Sequence, residues 1–352
     1  MVTYSIRRIL MIIPLLMFVV YALFTLTRLF PYDPVVQSLE HQGVDYLDAS
    51  GLTDQSVYDA EFRKLGLDKP VFYVSITPSE ARSFLPSIRW HSVDNQFHSW
   101  FVGLIRLDFG TSSVDGSDTW DKTLKAFGYT LKYMIPALLL TFLVAFVIGI
   151  LLGRYPDRLS SRVIDVFFYS LSSLPVFWVA SLAVVYLTTP LYSKYLDLFP
   201  RVDVFVSGDI PMTYYALPII LVVIFSVAYL ATQVKNIYTD IAKSPYINSL
   251  KARGLPHKSI LVNHMMPNMM ISLVTIFTLT IPIALGGSVV IEQIFNIPGI
   301  GRLLLSSING SDWMMVVPVI VLIAIITTLS YLASDLLYAI FDPRVKQQFT
   351  HE

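Results

Sequence analysis

Cysteine is absent from this 352-residue chain. That excludes a disulfide framework, a thiolate metal site and a cysteine nucleophile. Charge is scarce: Asp, Glu, Lys and Arg make up 14% of residues, against roughly 25% in an ordinary soluble domain. Neither sign dominates, with 25 basic and 25 acidic residues, so no net positive charge is present to hold nucleic-acid phosphates. Internal repeats and low-complexity tracts are missing, which sets aside collagen-like and disordered chains. No Gly-x-x-x-x-Gly-Lys-Ser/Thr loop occurs, so the chain has no cradle for ATP. His41, His91, His98, His257, His264 and His351 are scattered, and none has a metal-ligand spacing such as His-Glu-x-x-His.

Apolar sequence is abundant instead: 55% of residues are hydrophobic and the mean hydropathy is +0.62. A water-soluble core could not hold so much apolar surface behind so few charges, and the composition is that of an all-α polytopic membrane protein. Six charge-free stretches reach the ~20 residues needed to cross the hydrocarbon core. They cover residues 9–27, 133–153, 166–192, 214–234, 271–291 and 316–334. Helix is the expectation for each, because backbone polar groups in lipid must be satisfied within the segment. A β-barrel would show short alternating segments, and these runs are continuous. Arg7 and Arg8 precede the first run like a basic signal-peptide region. The run is too long for a cleaved signal and residues 26–31 offer no small-residue cleavage site, so it reads as an uncleaved anchor.

Orientation follows from Lys and Arg in short loops. With the N-terminus inside, the inner segments hold Arg7, Arg8, Arg154, Arg158, Arg162, Lys235, Lys243, Lys251, Arg253, Lys258, Arg344 and Lys346. The two short outer loops hold only Lys194, Arg201 and Arg302. The formal neutrality therefore divides into about +6 inside and −6 outside, an N-in, C-in arrangement. Organised this way, residues 1–30 form an anchor helix and 31–130 a partly folded extracytoplasmic region of short helices between spans one and two. Residues 131–345 form a five-helix core with a cytoplasmic loop at 235–264, and 346–352 form a cytoplasmic tail.

That loop is strongly punctuated. Ser244 can cap free N–H groups, and Pro245 tolerates the first helical position. Gly254 supplies a left-handed residue after the last turn, and Pro256 prevents continuation. The expected helix covers 245–253, with Tyr246, Ile247 and Leu250 on one apolar face among Lys243, Lys251, Arg253 and Lys258. It is either a solvated loop obeying the positive-inside rule or a docking helix for another protein's groove.

The same residues carry a resemblance. Asn248-Ser249-Leu250, three residues, Gly254, nine residues and His264-Met265-Met266-Pro267 together resemble the cytoplasmic signature of binding-protein-dependent ABC importer permeases. That signature runs Glu-Ala-Ala, three residues, Gly, nine residues, Ile-x-Leu-Pro. Gly254 and Pro267 fit in register, whereas Asn248-Ser249-Leu250 depart from Glu-Ala-Ala. Lys251-Ala252-Arg253-Gly254-Leu255 is closer to the peptide-permease branch. Pro31-Tyr32-Asp33-Pro34, Leu65-Gly66-Leu67-Asp68-Lys69-Pro70, Leu107-Asp108-Phe109-Gly110-Thr111-Ser112 and Leu174-Pro175-Val176-Phe177-Trp178 resemble further motifs of that branch, in order. So do Ile291-Glu292-Gln293-Ile294-Phe295-Asn296-Ile297-Pro298-Gly299-Ile300-Gly301-Arg302 and the C-terminal Asp335 through Val345. The chain is similar to the first permease subunit of dipeptide, oligopeptide and nickel importers. Residues 71–99 depart from it and look like an insertion.

The resemblance implies a type I ABC importer permease fold and four kinds of contact. These are a second homologous permease, two ATP-binding subunits that hold ATP and Mg²⁺, an extracytoplasmic substrate-binding protein and the lipid bilayer. It makes Ser244, Pro245, Tyr246, Ile247, Asn248, Ser249, Leu250, Lys251, Ala252, Arg253, Gly254 and Leu255 an ATPase-coupling helix, and it implies alternating access. Ser172, Ser173 and Pro175, with Ser170 nearby, line the pathway or satisfy a proline-broken helix. Gly286, Gly287 and Ser288 allow close helix packing or form a gate. Pro298, Gly299, Gly301 and Arg302 form a turn or contact the binding protein. Asp335, near the inner end of the last span, reads as an interfacial or structural group. A secondary transporter or channel is the competing reading, though all six apolar runs lack charge. An intramembrane enzyme finds no catalytic constellation.

Overall fold

The computed structural model describes residues 2–29, 33–44, 47, 54–77, 87–188, 198–200 and 210–341. The Pro31-Tyr32 start of the first motif, part of the expected insertion (78–86) and everything from Asp342 onward lie outside the described residues.

The described chain is almost entirely helical. It runs through α1 (Val2–Leu29), α2 (Pro34–Gln42), α3 (Gln55–Lys64), an antiparallel hairpin of β1 (Val74–Thr77) and β2 (Ser87–Trp90), and α4 (Gln96–Ile105). Then come α5 (Thr119–Arg154), α6 (Leu159–Ser172), α7 (Val176–Leu187), a 3₁₀ turn (Met212–Tyr215) leading into α8 (Ala216–Ala242), and α9 (Pro245–Ala252). The last part is α10 (His257–Ile260), a π-helical turn (Leu261–Met265), α11 (Met266–Ile294), α12 (Ile300–Asn309) and α13 (Trp313–Phe341). Among the described residues, five stretches are long and apolar enough to cross a membrane, and α6 with α7 make a sixth if that pair is one span.

The expected third span, 166–192, is not one helix. It breaks between Ser172 and Val176, and α6 and α7 meet at 94°. Pro175 lacks an N–H and its ring excludes the carbonyl four residues back, while Leu174 before it is biased away from helix. The Tyr169 carbonyl near the α6 end accepts both the Ser173 N–H at 3.2 Å and the Ser173 hydroxyl at 2.9 Å.

The chain divides into two compact units. One comprises Leu16–Leu124 with Leu304–Leu322. In it, Val20 and Phe24 of α1 pack on Phe97 of α4, with Phe72, Tyr73 and Trp100 around them. Glu61 ties α3 to α2 by accepting from Ser38 Oγ at 2.7 Å and Gln42 Nε2 at 2.9 Å. The Gln96 amide donates to the Leu67 and Lys69 carbonyls at 2.9 and 2.7 Å, pinning the Leu65–Pro70 motif to the start of α4. Asp312 accepts from Ser112 Oγ at 2.5 Å, Ser113 Oγ at 3.1 Å and the Met315 N–H at 3.3 Å, which fastens the Leu107–Ser112 motif to the start of α13. The hairpin is not foreshadowed in the sequence analysis: its strands Val74–Thr77 and Ser87–Trp90 do alternate apolar and polar residues, but four residues each are too few to set them apart from loop.

The other unit comprises Met1–Leu15, Lys125–Leu303 and Ile323–Glu352. Gly149 and Gly153 of α5 form a small-xxx-small face against α8. A Cβ on Gly149 would sit 2.5 Å from the Val234 Cβ, and one on Gly153 would sit 2.6 Å from the Tyr238 ring. Lys235 of α8 pairs with Asp165 of α6 at 2.6 Å.

Candidate functional site

α9 is built as its punctuation requires. Ser244 has extended backbone and its hydroxyl accepts from the Ile247 N–H at 3.4 Å; Pro245 opens the helix. Gly254 follows at φ +77, and its N–H reaches the Lys251 carbonyl at 2.9 Å. The Leu255 N–H reaches back to the Leu250 carbonyl at 3.3 Å, closing the last turn. Ile247 and Leu250 are buried against Val234 and Tyr238 of α8, Ile260 of α10, and Met265 and Met269 beyond it. The Lys251 ammonium donates to the Ala242 carbonyl at 3.3 Å, a cation at the C-terminal end of α8.

Tyr246 does not share that buried face. It is 48% exposed, and its hydroxyl meets His264 Nδ1 at 2.7 Å. Of the expected apolar face, Ile247 and Leu250 are thus covered by the chain itself. The outward surface consists of Tyr246, Asn248, Ser249, Lys251, Ala252, Arg253 and Gly254, all exposed. Beside it opens a cleft of about 680 Å³ lined by Asp240, Ile241, Ser244, Tyr246 and Asn268. Behind it, Phe142, Phe146, Leu230, Val234, Met266 and Met270 help line an apolar cavity of about 470 Å³ among α5, α8 and α11. Its size is that of an ordinary small-molecule pocket.

The α11–α12 corner is built the opposite way. Asn296 takes a left-handed conformation at φ +54, and the Ile297 N–H returns to the Glu292 carbonyl at 2.9 Å. The fully buried Glu292 carboxylate accepts from Thr130 Oγ1 at 2.7 Å, the Tyr133 hydroxyl at 3.1 Å and the Arg302 N–H at 2.9 Å. Thr130 Oγ1 in turn accepts from the Ile300 N–H at 2.9 Å. These are first-turn N–H groups of α12, which α5 and α11 cap from outside that helix. Gly299 and Gly301 are buried: a Cβ on Gly299 would overlap the Glu292 carboxylate, and one on Gly301 would lie 2.7 Å from the Val289 backbone. Pro298 is exposed and Arg302 half-buried.

Sequence reasoning names Glu292 within the 291–302 motif but gives it no role, because the fifth apolar run ends at residue 291 and the carboxylate falls to a loop. It misses Gly149 and Gly153, whose i, i+4 spacing is the available signal.

Ser172, Ser173 and Pro175 are exposed at the α6–α7 break, beside Phe177 and Trp178, which are 58% and 49% exposed. Gly286 and Gly287 are exposed, and a methyl group added to either would meet nothing within 4 Å, so they mediate no close packing among the described residues. Ser288 is buried and donates to the Leu285 carbonyl at 2.8 Å. α11 continues unbroken through all three. Among the described residues no group of three or more His, Asp or Glu could hold a metal.

Residues 145–347, more than half of the chain, match the family described as the inner membrane component of binding-protein-dependent transport systems. The chain belongs to that family. This permease is a multi-pass inner-membrane protein. It is 25% identical over 348 residues to the metal-staphylopine import system permease protein CntB of Staphylococcus aureus, covering 99% of each chain. It is 25% identical over 358 residues to the oligopeptide transport system permease protein AppB of Bacillus subtilis, covering 98% of this chain and 100% of that one. It is 27% identical over 350 residues to the glutathione transport system permease protein GsiC of Escherichia coli, covering 98% and 99%. A solved methionine ABC transporter, MetNI in inward facing conformations, aligns over 62% of this chain and 96% of its own, with 17% identity and a TM-score of 0.48.

Proposed function

We propose that this permease is one membrane-spanning half of an ATP-driven importer for di- or oligopeptides, with both termini cytoplasmic and six spans. The two ATP-binding subunits, which hold ATP and Mg²⁺ and carry out hydrolysis, are separate chains, as are a second permease and an extracytoplasmic binding protein. The observation that carries the reading is α9: a capped helix held by Ile247 and Leu250, with its polar face outward.

Residues Ser244–Leu255 then couple to an ATPase. Closure of the ATPase pair displaces α9, and Ile247 and Leu250 pass the displacement to α8 and α11 together. α5 follows through Gly149 and Gly153 at one level and through Thr130 and Glu292 at another. Each nucleotide state must favour a different conformation for this to drive alternating access. The exposed Ser172, Ser173, Pro175, Gly286 and Gly287 are the pathway candidates, and Ser288 supports them from within. Contact with the binding protein falls to Pro298 and Arg302, with Gly299 and Gly301 as their buried support. The peptide assignment rests on relatives named for oligopeptides and glutathione; a metal chelate is the second reading, favoured by the staphylopine relative.

Purification in mild detergent tests the assembly: two ATPases and a second permease are expected to co-purify. A lone chain supporting substrate-driven ion flux would establish a secondary transporter instead. A ligand screen of the cognate binding protein separates peptides from metal chelates.

A further inference from the structure

The hairpin, in sequence a mere insertion, has two chemically distinct faces. Its register pairs Val74 with Trp90 and Ser75 with Arg89. Side chains alternate across a strand and directly paired residues share a face. Val74, Ile88 and Trp90 therefore lie on one face, and Ser75, Ser87 and Arg89 on the other. The apolar face is open: Val74 is 40%, Ile88 72% and Trp90 69% exposed. The polar face carries the Ser75 Oγ···His91 Nε2 bond at 2.7 Å.

The position of this face is fixed by a run of aromatic rings. Phe24 of α1 meets Phe97 at 5.2 Å between centroids, Phe97 meets Tyr73 at 5.9 Å, and Tyr73 stacks on Trp90 at 6.0 Å. Phe24 lies five residues before the end of α1, about 7.5 Å along a helix axis. The headgroup layer adds roughly 5–7 Å on each side of the hydrocarbon core. With the end of α1 at the outer edge of the headgroup layer, the ring run leaves this candidate membrane-crossing helix where the hydrocarbon core gives way to headgroups. Trp and Tyr are enriched at that depth because one end of each ring is apolar and the other polar.

We propose that the β1–β2 hairpin is a membrane-interface anchor: Val74, Ile88 and Trp90 rest in the headgroup layer of the leaflet reached by the C-terminal end of α1, and Arg89 faces water. The lipid surface is the occupant because the face continues from a membrane-crossing helix through an unbroken aromatic path. The anchor holds the extracytoplasmic region at a set height on the bilayer. It depends neither on the cargo nor on the ATPase contact.

The absence of cysteine makes the test direct. Ile88→Cys and Arg89→Cys are labelled separately with an environment-sensitive fluorophore in the assembled importer, its other subunits freed of reactive cysteines. The complex is placed in nanodiscs of phosphatidylethanolamine and phosphatidylglycerol containing a lipid with a headgroup-proximal nitroxide. The label at 88 is expected to be quenched severalfold more than the label at 89, with iodide from water quenching in the reverse order. Adding the binding protein is expected to change neither. Equal iodide quenching at both sites with no nitroxide effect would overturn the proposal. Shielding of position 88 only after the binding protein is added would assign the face to that protein and also overturn it.

Discussion

At α9 the chain buries two apolar side chains and turns its polar ones outward; at the α11–α12 corner it buries the polar groups and encloses them. Both regions contain a helix end, a left-handed residue and motif glycines. Among the described residues a Cβ on Gly254 would meet nothing within 4 Å, and the glycine turns the backbone, whereas Gly299 and Gly301 leave room for Glu292 and Val289. A motif glycine at an exposed turn, like Gly254, sets only the backbone. A motif glycine pressed against a buried carboxylate marks an internal joint.

The glycine pair gives the largest separation. Gly299→Val forces a branched side chain into the Glu292 carboxylate and is expected to cost at least about 3 kcal/mol, read as loss of monodisperse complex in detergent. Gly254→Val places its Cβ where no described atom lies within 4 Å, and its cost is that of a left-handed backbone, roughly 1–2 kcal/mol. It is expected to keep the assembly and lower substrate-stimulated ATP hydrolysis. Equal loss of assembly in both variants would erase the distinction.

Glu292 comes next. Glu292→Leu strands the Thr130, Tyr133 and Arg302 donors and is expected to lower stability by about 3 kcal/mol. Glu292→Gln keeps one acceptor oxygen and is expected to lose less. Thermal unfolding in detergent orders the pair; a Leu variant as stable as the parent would show that the corner is not held by this carboxylate. Tyr246→Phe removes only the partly exposed bond to His264, about 0.5–1.5 kcal/mol, and is expected to leave assembly intact.

The smallest effect is at Glu61, a carboxylate with several donors like Glu292 but outside the membrane spans. Its bond from Ser38, then those from Lys64 and Gln42, hold its pKa below the ordinary 4.5. A depressed carboxylate contributes stability that is fully present above its unfolded value and is lost as pH falls through the folded one. Hydrogen-exchange protection across α2 and α3, corrected for the intrinsic pH dependence of amide exchange, is therefore expected to stay constant from neutral pH down to the ordinary carboxylate range and to fall below it. Ser38→Ala is expected to move that fall in protection to higher pH.

Much of this is legible in the chain. Ser244, Pro245, Gly254 and Pro256 each specify a local backbone conformation, so α9 can be read residue by residue. Tyr246 is misplaced by such a reading because i, i+4 spacing groups it with Leu250, while its hydroxyl draws it to the stripe's edge and to His264. The charge-free run 166–192 reads as one span because hydropathy does not register a bend, while Pro175 offers a proline-broken helix as one of two local readings, and the break lies there. Glu292 is illegible for another reason. Its partners Thr130 and Tyr133 lie 162 and 159 residues away, and no local pattern announces them.

Cross-linking from α9 tests the coupling most directly. Asn248→Cys and Pro298→Cys, each the single cysteine of this chain, are treated with a short thiol-to-amine cross-linker in the assembled importer. A product joining position 248 to an ATP-binding subunit is expected, changing in yield between nucleotide-free and ATP-bound states, with no such product from position 298. An active, assembled importer that gives no ATPase product from 248, or gives it from 298, would contradict α9 as the coupling element.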